Sequence, residues 1–226
     1  MMTNDSLLLP VATAYDLWSA TYDSYDNPMV FGATRIMEDL APQACGKAVV
    51  EFGCGTGRNL ACLKRAGAVA LTGCDLSPGM LEQARNRDAT FTLLQQDMNS
   101  PLPLPDGSVD LAIFVLSLEH VSDLTGPLRE ARRLLRPSGD CVIIEIHPFL
   151  SLNAVSAHFR DGETEIRMPT VPHRFSDYIN ACSGVGFRLA QCREWRPCDF
   201  TGEIPDKVRK RGLETPLLVQ FTLLPT

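Results

Sequence analysis

The stretch Val49-Val50-Glu51-Phe52-Gly53-Cys54-Gly55-Thr56-Gly57 constrains this chain more than any other. An apolar run meets three glycines at alternate positions, and an amphipathic segment follows at once. Glycine lets the backbone turn sharply and lets a ligand approach the main chain closely. A strand turning this abruptly into a helix leaves the first N–H groups of that helix free to face whatever binds there. A tight turn with no ligand is the bland alternative, and the rest of the chain has to decide between them.

The rhythm of short apolar run, turn and amphipathic run repeats along the chain. Strands are predicted over Ala48–Phe52, Ala70–Cys74, Thr90–Gln95, Leu111–Leu116, Cys141–Ile146, Arg188–Trp195 and Leu217–Leu223. Runs such as Cys141-Val142-Ile143-Ile144 suggest burial on both faces, as in a parallel sheet covered by helices. Helices are expected from Thr56 or Gly57 to Gly67, from Ser77-Pro78 as N-cap and first turn, through Leu128, Ala131 and Leu135 to Pro137 and Gly139, and from Ser176 to near Gly184 or Gly186. Residues from Leu7 to about Leu40 should form helices across the sheet edge. No repeat or low-complexity linker interrupts the chain, so one domain is expected: a helical lid over 1–46, a core over 47–148, a cover insertion over 149–175, and the end of the sheet over 176–226.

Two acids strengthen a nucleotide-binding reading. The second strand ends at Asp75, about 20 residues after the glycine loop, where α/β units place an acid for ribose hydroxyls. The third ends in Gln95-Gln96-Asp97-Met98, which puts another carboxylate on the same rim. Either acid alone could be a turn or cap residue; the ordered set is harder to dismiss. Together with Cys74-Asp75-Leu76-Ser77-Pro78-Gly79-Met80-Leu81, Ser108-Val109-Asp110-Leu111-Ala112-Ile113-Phe114 and Leu134-Leu135-Arg136-Pro137-Ser138-Gly139-Asp140, this set resembles class I S-adenosylmethionine methyltransferases. The similarity is closest to the type 11 group, which includes quinone-biosynthesis C-methyltransferases, and covers roughly Lys47 to Ile146.

The resemblance implies a Rossmann-like α/β fold: a seven-stranded, mostly parallel sheet with an antiparallel last strand and helices on both faces. It implies S-adenosyl-L-methionine as cofactor. Glu51 opens the first motif; Gly53, Gly55 and Gly57, with Cys54 and Thr56, would wrap the methionine portion. Asp75 would take the ribose hydroxyls, Leu76 and Met80 would pack the adenine, and Asp97 and Met98 would contact its amino side. Phe114 and Val115 would lie beneath the sulfonium.

On the acceptor side, Tyr15, Trp18, Tyr22 and Tyr25 fall on one face if the segment is a single helix. The stripe reads as core packing or as a lid, with Tyr22 as a cofactor contact and Tyr15 and Trp18 as substrate contacts. The four histidines are His120, His147, His158 and His173. His120 and His147 follow strand ends, so both should face the ligand rim; His147 is the first candidate for a base and His120 the second. His158 and His173, in the insertion, are candidate substrate contacts, while Asp161-Gly162 reads as a hairpin turn. The basic run Lys207, Arg209, Lys210 and Arg211 reads first as a solvated loop and second as a grip on an anionic substrate.

Composition narrows the partners. A chain of 226 residues with 45% hydrophobic and 21% charged residues is ordinary globular material. Its net charge of −6 disfavours nucleic acid. No window reaches the roughly 20 apolar residues of a membrane span. Leu7-Leu8-Leu9 follows Asp5 rather than a basic stretch, which argues against a signal peptide. Eight cysteines with no C-x-x-C pair point to neither metal nor disulfides, and a cytoplasmic protein is expected. The oligomeric state is not readable. The expected activity is methyl transfer to a small-molecule acceptor. A nicotinamide oxidoreductase is the rival enzyme, but its G-x-G-x-x-G spacing differs from the one here. A non-catalytic cofactor-binding subunit is the other alternative.

Overall fold

The computed structural model describes residues 6–226; Asp5, the acid ahead of Leu7-Leu8-Leu9, lies outside the described residues. In chain order the elements are β1 (Ser6–Leu8), α1 (Val11–Trp18), α2 (Pro28–Leu40), β2 (Ala48–Phe52), α3 (Arg58–Arg65), β3 (Ala70–Asp75), α4 (Pro78–Arg87), β4 (Thr92–Gln95), β5 (Val109–Val115), α5 (Thr125–Leu134), β6 (Leu135–Ile146), α6 (Pro148–Ser151), β7 (His158–Asp161), β8 (Thr164–Arg167), α7 (Phe175–Gly184), β9 (Phe187–Trp195), α8 (Asp206–Arg209) and β10 (Leu218–Pro225).

Seven strands form one sheet in the order β4-β3-β2-β5-β6-β10-β9. The pairs among β2 to β6 are parallel, and β10 runs antiparallel to both β6 and β9. The chain first builds outward from β2 through β3 to β4, then returns to place β5 on the other side of β2. That reversal opens a crevice at the carboxyl ends of β2 and β5, where open α/β sheets hold ligands.

Alternate residues of each central strand enter separate cores. Val49, Ile113, Val142 and Ile144 pack on one face with Ile36 and Leu60. Val50, Phe52, Phe114 and Ile143 pack on the other with Leu128 and Tyr178. The period-two alternation therefore buries both faces. Phe52 and Phe114, stacked with centroids 4.6 Å apart, tie β2 to β5 just below the crevice.

Several boundaries differ from the sequence expectation. The third helix, expected to run through Leu135 and stop at Pro137 and Gly139, ends at Leu134, and Leu135–Asp140 is the start of β6; pairing jumps from Val109↔Leu135 to Leu111↔Asp140, so extra residues bulge out of the ladder. Helix α7 is capped from Arg174, whose N–H donates to Asp177 at 2.7 Å, rather than from Ser176. The expected N-terminal helices begin with a strand instead. Pro10 disfavours helix in the residue before it, and β1 pairs in parallel with β8, Leu7 opposite Ile166. With the β7–β8 hairpin this gives a three-stranded sheet, which joins the N-terminal segment to the insertion as one cover. No helix among the described residues is long and apolar enough to cross a membrane.

Candidate active site

The glycine loop leaves β2 with Gly53, Gly55 and Gly57 all at positive φ. At Gly53 the requirement is double, because a Cβ there would also sit 2.6 Å from Cβ of Ser117. The loop is held from the neighbouring strand: Gly55 N–H donates to Asp75 Oδ2 at 2.8 Å, and Ser77 N–H donates to Asp75 Oδ1 at 2.9 Å. Burial pushes the Asp75 carboxyl up, and these backbone donors pull it back. Beyond the loop lies a cavity of about 180 Å³ whose walls include Gly53, Gly55, Asp75, Met80, Asp97 and Ser117. Asp97 is fixed by accepting from the backbone and side-chain N–H groups of Asn99.

The aromatic segment covers this cavity, but not as one helix. Helix α1 ends at Trp18 and a 3-10 turn spans Tyr22–Ser24. The carbonyls of Asp16, Trp18 and Thr21 each accept from the backbone N–H and the hydroxyl of the residue three positions on, Ser19, Thr21 and Ser24, so local hydroxyl bonds accompany the end of the helix. The four rings still gather. Trp18 meets Tyr22 and Tyr25 edge-on, and stacks on Phe159 of the insertion at 4.7 Å. Carboxylates latch the segment to the core. Asp16 accepts from Gly79 N–H at 2.6 Å and Ser77 Oγ at 3.0 Å, while Asp23 accepts from Thr56 Oγ1 and pairs with Arg87.

A second cavity of about 310 Å³ adjoins the first, and Tyr15, Tyr22 and Leu116 belong to the walls of both. Leu116 holds φ = 53°, a conformation that costs a non-glycine residue about 1–3 kcal/mol and tends to mark functional sites. Here Tyr15 Oη lies 2.9 Å from His120 Nε2, and His120 Nδ1 lies 2.9 Å from the Pro169 carbonyl. A carbonyl only accepts, so Nδ1 carries the proton and Nε2 of the neutral ring accepts from Tyr15. Burial lowers the pKa of His120 and raises that of Tyr15, so both are neutral near pH 7.

Three carboxyls are buried around this rim. Glu119 lines the second cavity, its Oε1 lies 4.0 Å from His120 Nε2, and burial with the nearby Glu145 pushes it up to about 8. Glu145 rises to about 7 through burial, although it accepts from Ser117 and Leu118 N–H. Glu51 rises to about 8, again through burial, and accepts from Asn59 Nδ2 at 2.6 Å.

The remaining residues singled out by sequence divide clearly. Leu76, Met98 and Val115 join the first cavity, while Trp18 and His158 join the second. Cys54, Thr56, Gly57, Glu51 and Phe114 support the walls from beneath without lining them. His147 is not brought to either cavity: its Nδ1 accepts from Phe149 N–H at 3.1 Å, so its Nε2 donates to Glu194 at 2.8 Å. His173 is likewise turned away, donating to the Val121 carbonyl at 2.8 Å beside Tyr178. Leu116, Ser117 and Glu119 were not singled out. An acid amid apolar neighbours just past a strand, as in Leu118-Glu119-His120-Val121, was the available signal for Glu119.

A methyltransferase-domain family model matches residues 50–143. An uncharacterized methyltransferase of Emericella nidulans is 30% identical over 217 residues, spanning 78% of this chain and 75% of that protein. The chain belongs to the S-adenosylmethionine-dependent methyltransferase family. Among relatives of this chain, a demethylmenaquinone methyltransferase of Tropheryma whipplei is 42% identical over 105 residues. That match covers 46% of this chain and 44% of the relative, so the chain spans under half the length of that protein. The fold of the chain matches a crystal structure of an S-adenosylmethionine-dependent methyltransferase from Mesorhizobium loti, with a TM-score of 0.68 over 83% of this chain and 95% of that one, at 24% identity.

Proposed function

We propose that the protein transfers a methyl group from S-adenosylmethionine to a hydroxyl or amine of a small molecule seated in the second cavity. The observation that carries this reading is the adjacency of the two cavities, which share Tyr15, Tyr22 and Leu116. The first cavity suits the donor. A Cβ on Gly55 would meet nothing within 4 Å, so the loop leaves open space beside the main chain, and the buried Ser117 Oγ has no partner among the described residues.

S-adenosylmethionine, when bound, supplies a methyl group on a positively charged sulfur. The chain's own residues bind, cover and deprotonate. Asp75, Asp97 and the glycine loop would hold the donor, and Leu76 and Met80 would pack against it. Tyr15, Trp18 and Tyr22 keep water out, and alignment of the reactants provides most of the acceleration. As the nucleophile attacks, its proton passes to the Tyr15 oxygen while the Tyr15 proton moves to His120 Nε2. The Pro169 carbonyl holds Nδ1–H, and Glu119 lies beside the imidazolium that forms. A base positioned this way contributes about 10²–10⁴ in rate.

The test is release of S-adenosylhomocysteine with a panel of hydroxyl- and amine-bearing acceptors. Tyr15→Phe and His120→Gln should each lower kcat by about 10²–10⁴, and S-adenosylhomocysteine affinity should stay within about fivefold. Absence of saturable binding of that product to the wild type would remove the donor assignment. Unchanged kcat in both variants would remove the proton path.

A further inference from the structure

The second cavity has a polarity that narrows the acceptor. Its inner wall is buried: Ile146 and Glu119 are nearly inaccessible, and Trp18 is only 2% exposed. Its outer wall is exposed and carries Lys207, Lys210 and Arg211, contributed by the segment between β9 and β10. The same segment therefore brings a cationic rim to a protein with a net charge of −6.

The charges on this rim are not equivalent. Lys207 is already engaged, since its Nζ donates to the Asp26 carbonyl at 3.1 Å, lies 3.4 Å from the Asp26 carboxylate and sits over the Tyr25 ring. Lys210 and Arg211 pair with no carboxylate among the described residues. Asp26 is neutralised by Lys207, which leaves Glu119 as the other acid of the lining, at the buried end. The middle of the cavity is apolar and aromatic, with Tyr22, Met29, Val30 and Val155 among its walls. The buried indole N–H of Trp18 has no partner among the described residues, and it can only donate.

We infer that the methyl acceptor is an amphipathic organic anion, held at the mouth of the second cavity by Lys210 and Arg211 with its nucleophile at the Tyr15 end. This rests on the methyl-transfer reading above. A carboxylate or similar anion supplies what two unpaired cations require, and a planar fork such as that of arginine grips it in two places. An aromatic or aliphatic body fills the apolar middle, and a cavity of about 310 Å³ is at the small end for organic ligands. The acceptor thus lies with its charge outward and its reacting atom inward. Discrimination follows from this orientation, because a neutral analogue leaves the cations unsatisfied and loses its register against the donor.

The experiment uses the full chain saturated with S-adenosylhomocysteine and titrated calorimetrically with ring-hydroxylated phenylacetates and with their methyl esters. At least one acid should bind tenfold or more tightly than its ester. Lys210→Gln combined with Arg211→Gln should abolish that preference and weaken the acid about tenfold, with product affinity unchanged as evidence that the fold persists. Charge reversal at Arg211→Glu should weaken the acid further and leave the ester where it was. Normal product binding with no acid preferred over its ester in the wild type, or a preference that survives in the double variant, would overturn the inference alone. Failure of the wild type to bind S-adenosylhomocysteine would instead bring down the methyl-transfer reading.

Discussion

Replacing Glu51 by glutamine separates the electrostatic burden of a buried acid from its packing. Glu51 is fully enclosed, and one oxygen accepts from Asn59 Nδ2 at 2.6 Å while the other has no partner among the described residues. Glutamine keeps the shape and the accepting oxygen and removes the charge. In the fold the carboxyl titrates at about 8, against 4.5 for the free side chain. The unfolded chain therefore releases this proton first, so the native state loses stability as pH rises from the unfolded value toward the folded one. Integrating that difference between about pH 5.5 and about pH 7.5 gives roughly 2–3 kcal/mol, at about 1.4 kcal/mol per pKa unit. Urea unfolding of both proteins at the two pH values reads it directly, since Glu119 and Glu145 contribute alike to each and cancel in the comparison. The variant should gain about 2–3 kcal/mol on the wild type over this interval, or about 4–12 °C in Tm for a domain of this size. A stability difference that stays constant with pH, within about 0.5 kcal/mol, would refute the reasoning.

Three further outcomes are expected. Asp75→Ala removes a carboxylate that organises the glycine loop and faces the first cavity, so the Kd for S-adenosylhomocysteine should rise about 10- to 100-fold by calorimetry; an unchanged value would displace Asp75 from donor binding. His147→Gln should cost about 1–3 kcal/mol of stability through its lost bridge to Glu194 and leave kcat and its pH profile intact, whereas a collapse of turnover in a folded variant would return His147 to the reaction. Asp16→Ala removes the charged acceptor shared by Gly79 and Ser77, and stopped-flow release of S-adenosylhomocysteine should accelerate about tenfold or more; release at the wild-type rate would show that this latch does not hold the cover.

The central sheet was legible because its strands are buried on both faces. Ala48–Phe52 begins and ends as expected, and the strand ending at Asp75 differs by a single residue. The glycine loop and Asp75 were legible for the same reason, since their relation is set by neighbouring parallel strands and a short connection. The cover was not. Leu7 and Leu8 are exposed in β1, and their partner lies far along the chain in β8, so no local pattern marks them as a strand. Helical spacing grouped the four aromatic rings, but the helix ends at Trp18, whose ring stacks on Phe159, a partner far along the chain that no local pattern reveals. The histidines show the limit most clearly. His120 and His147 both follow strand ends, yet what separates them is Glu194, on a strand 47 residues beyond His147. The cationic run raised two readings that only the path of the chain between β9 and β10 could weigh.

The sharing of Tyr15 and Tyr22 between two chambers carries a thermodynamic corollary. Any shift of those rings reshapes both chambers at once. If donor and acceptor occupy them as proposed, filling one chamber is expected to change the affinity of the other, and the coupling must be reciprocal.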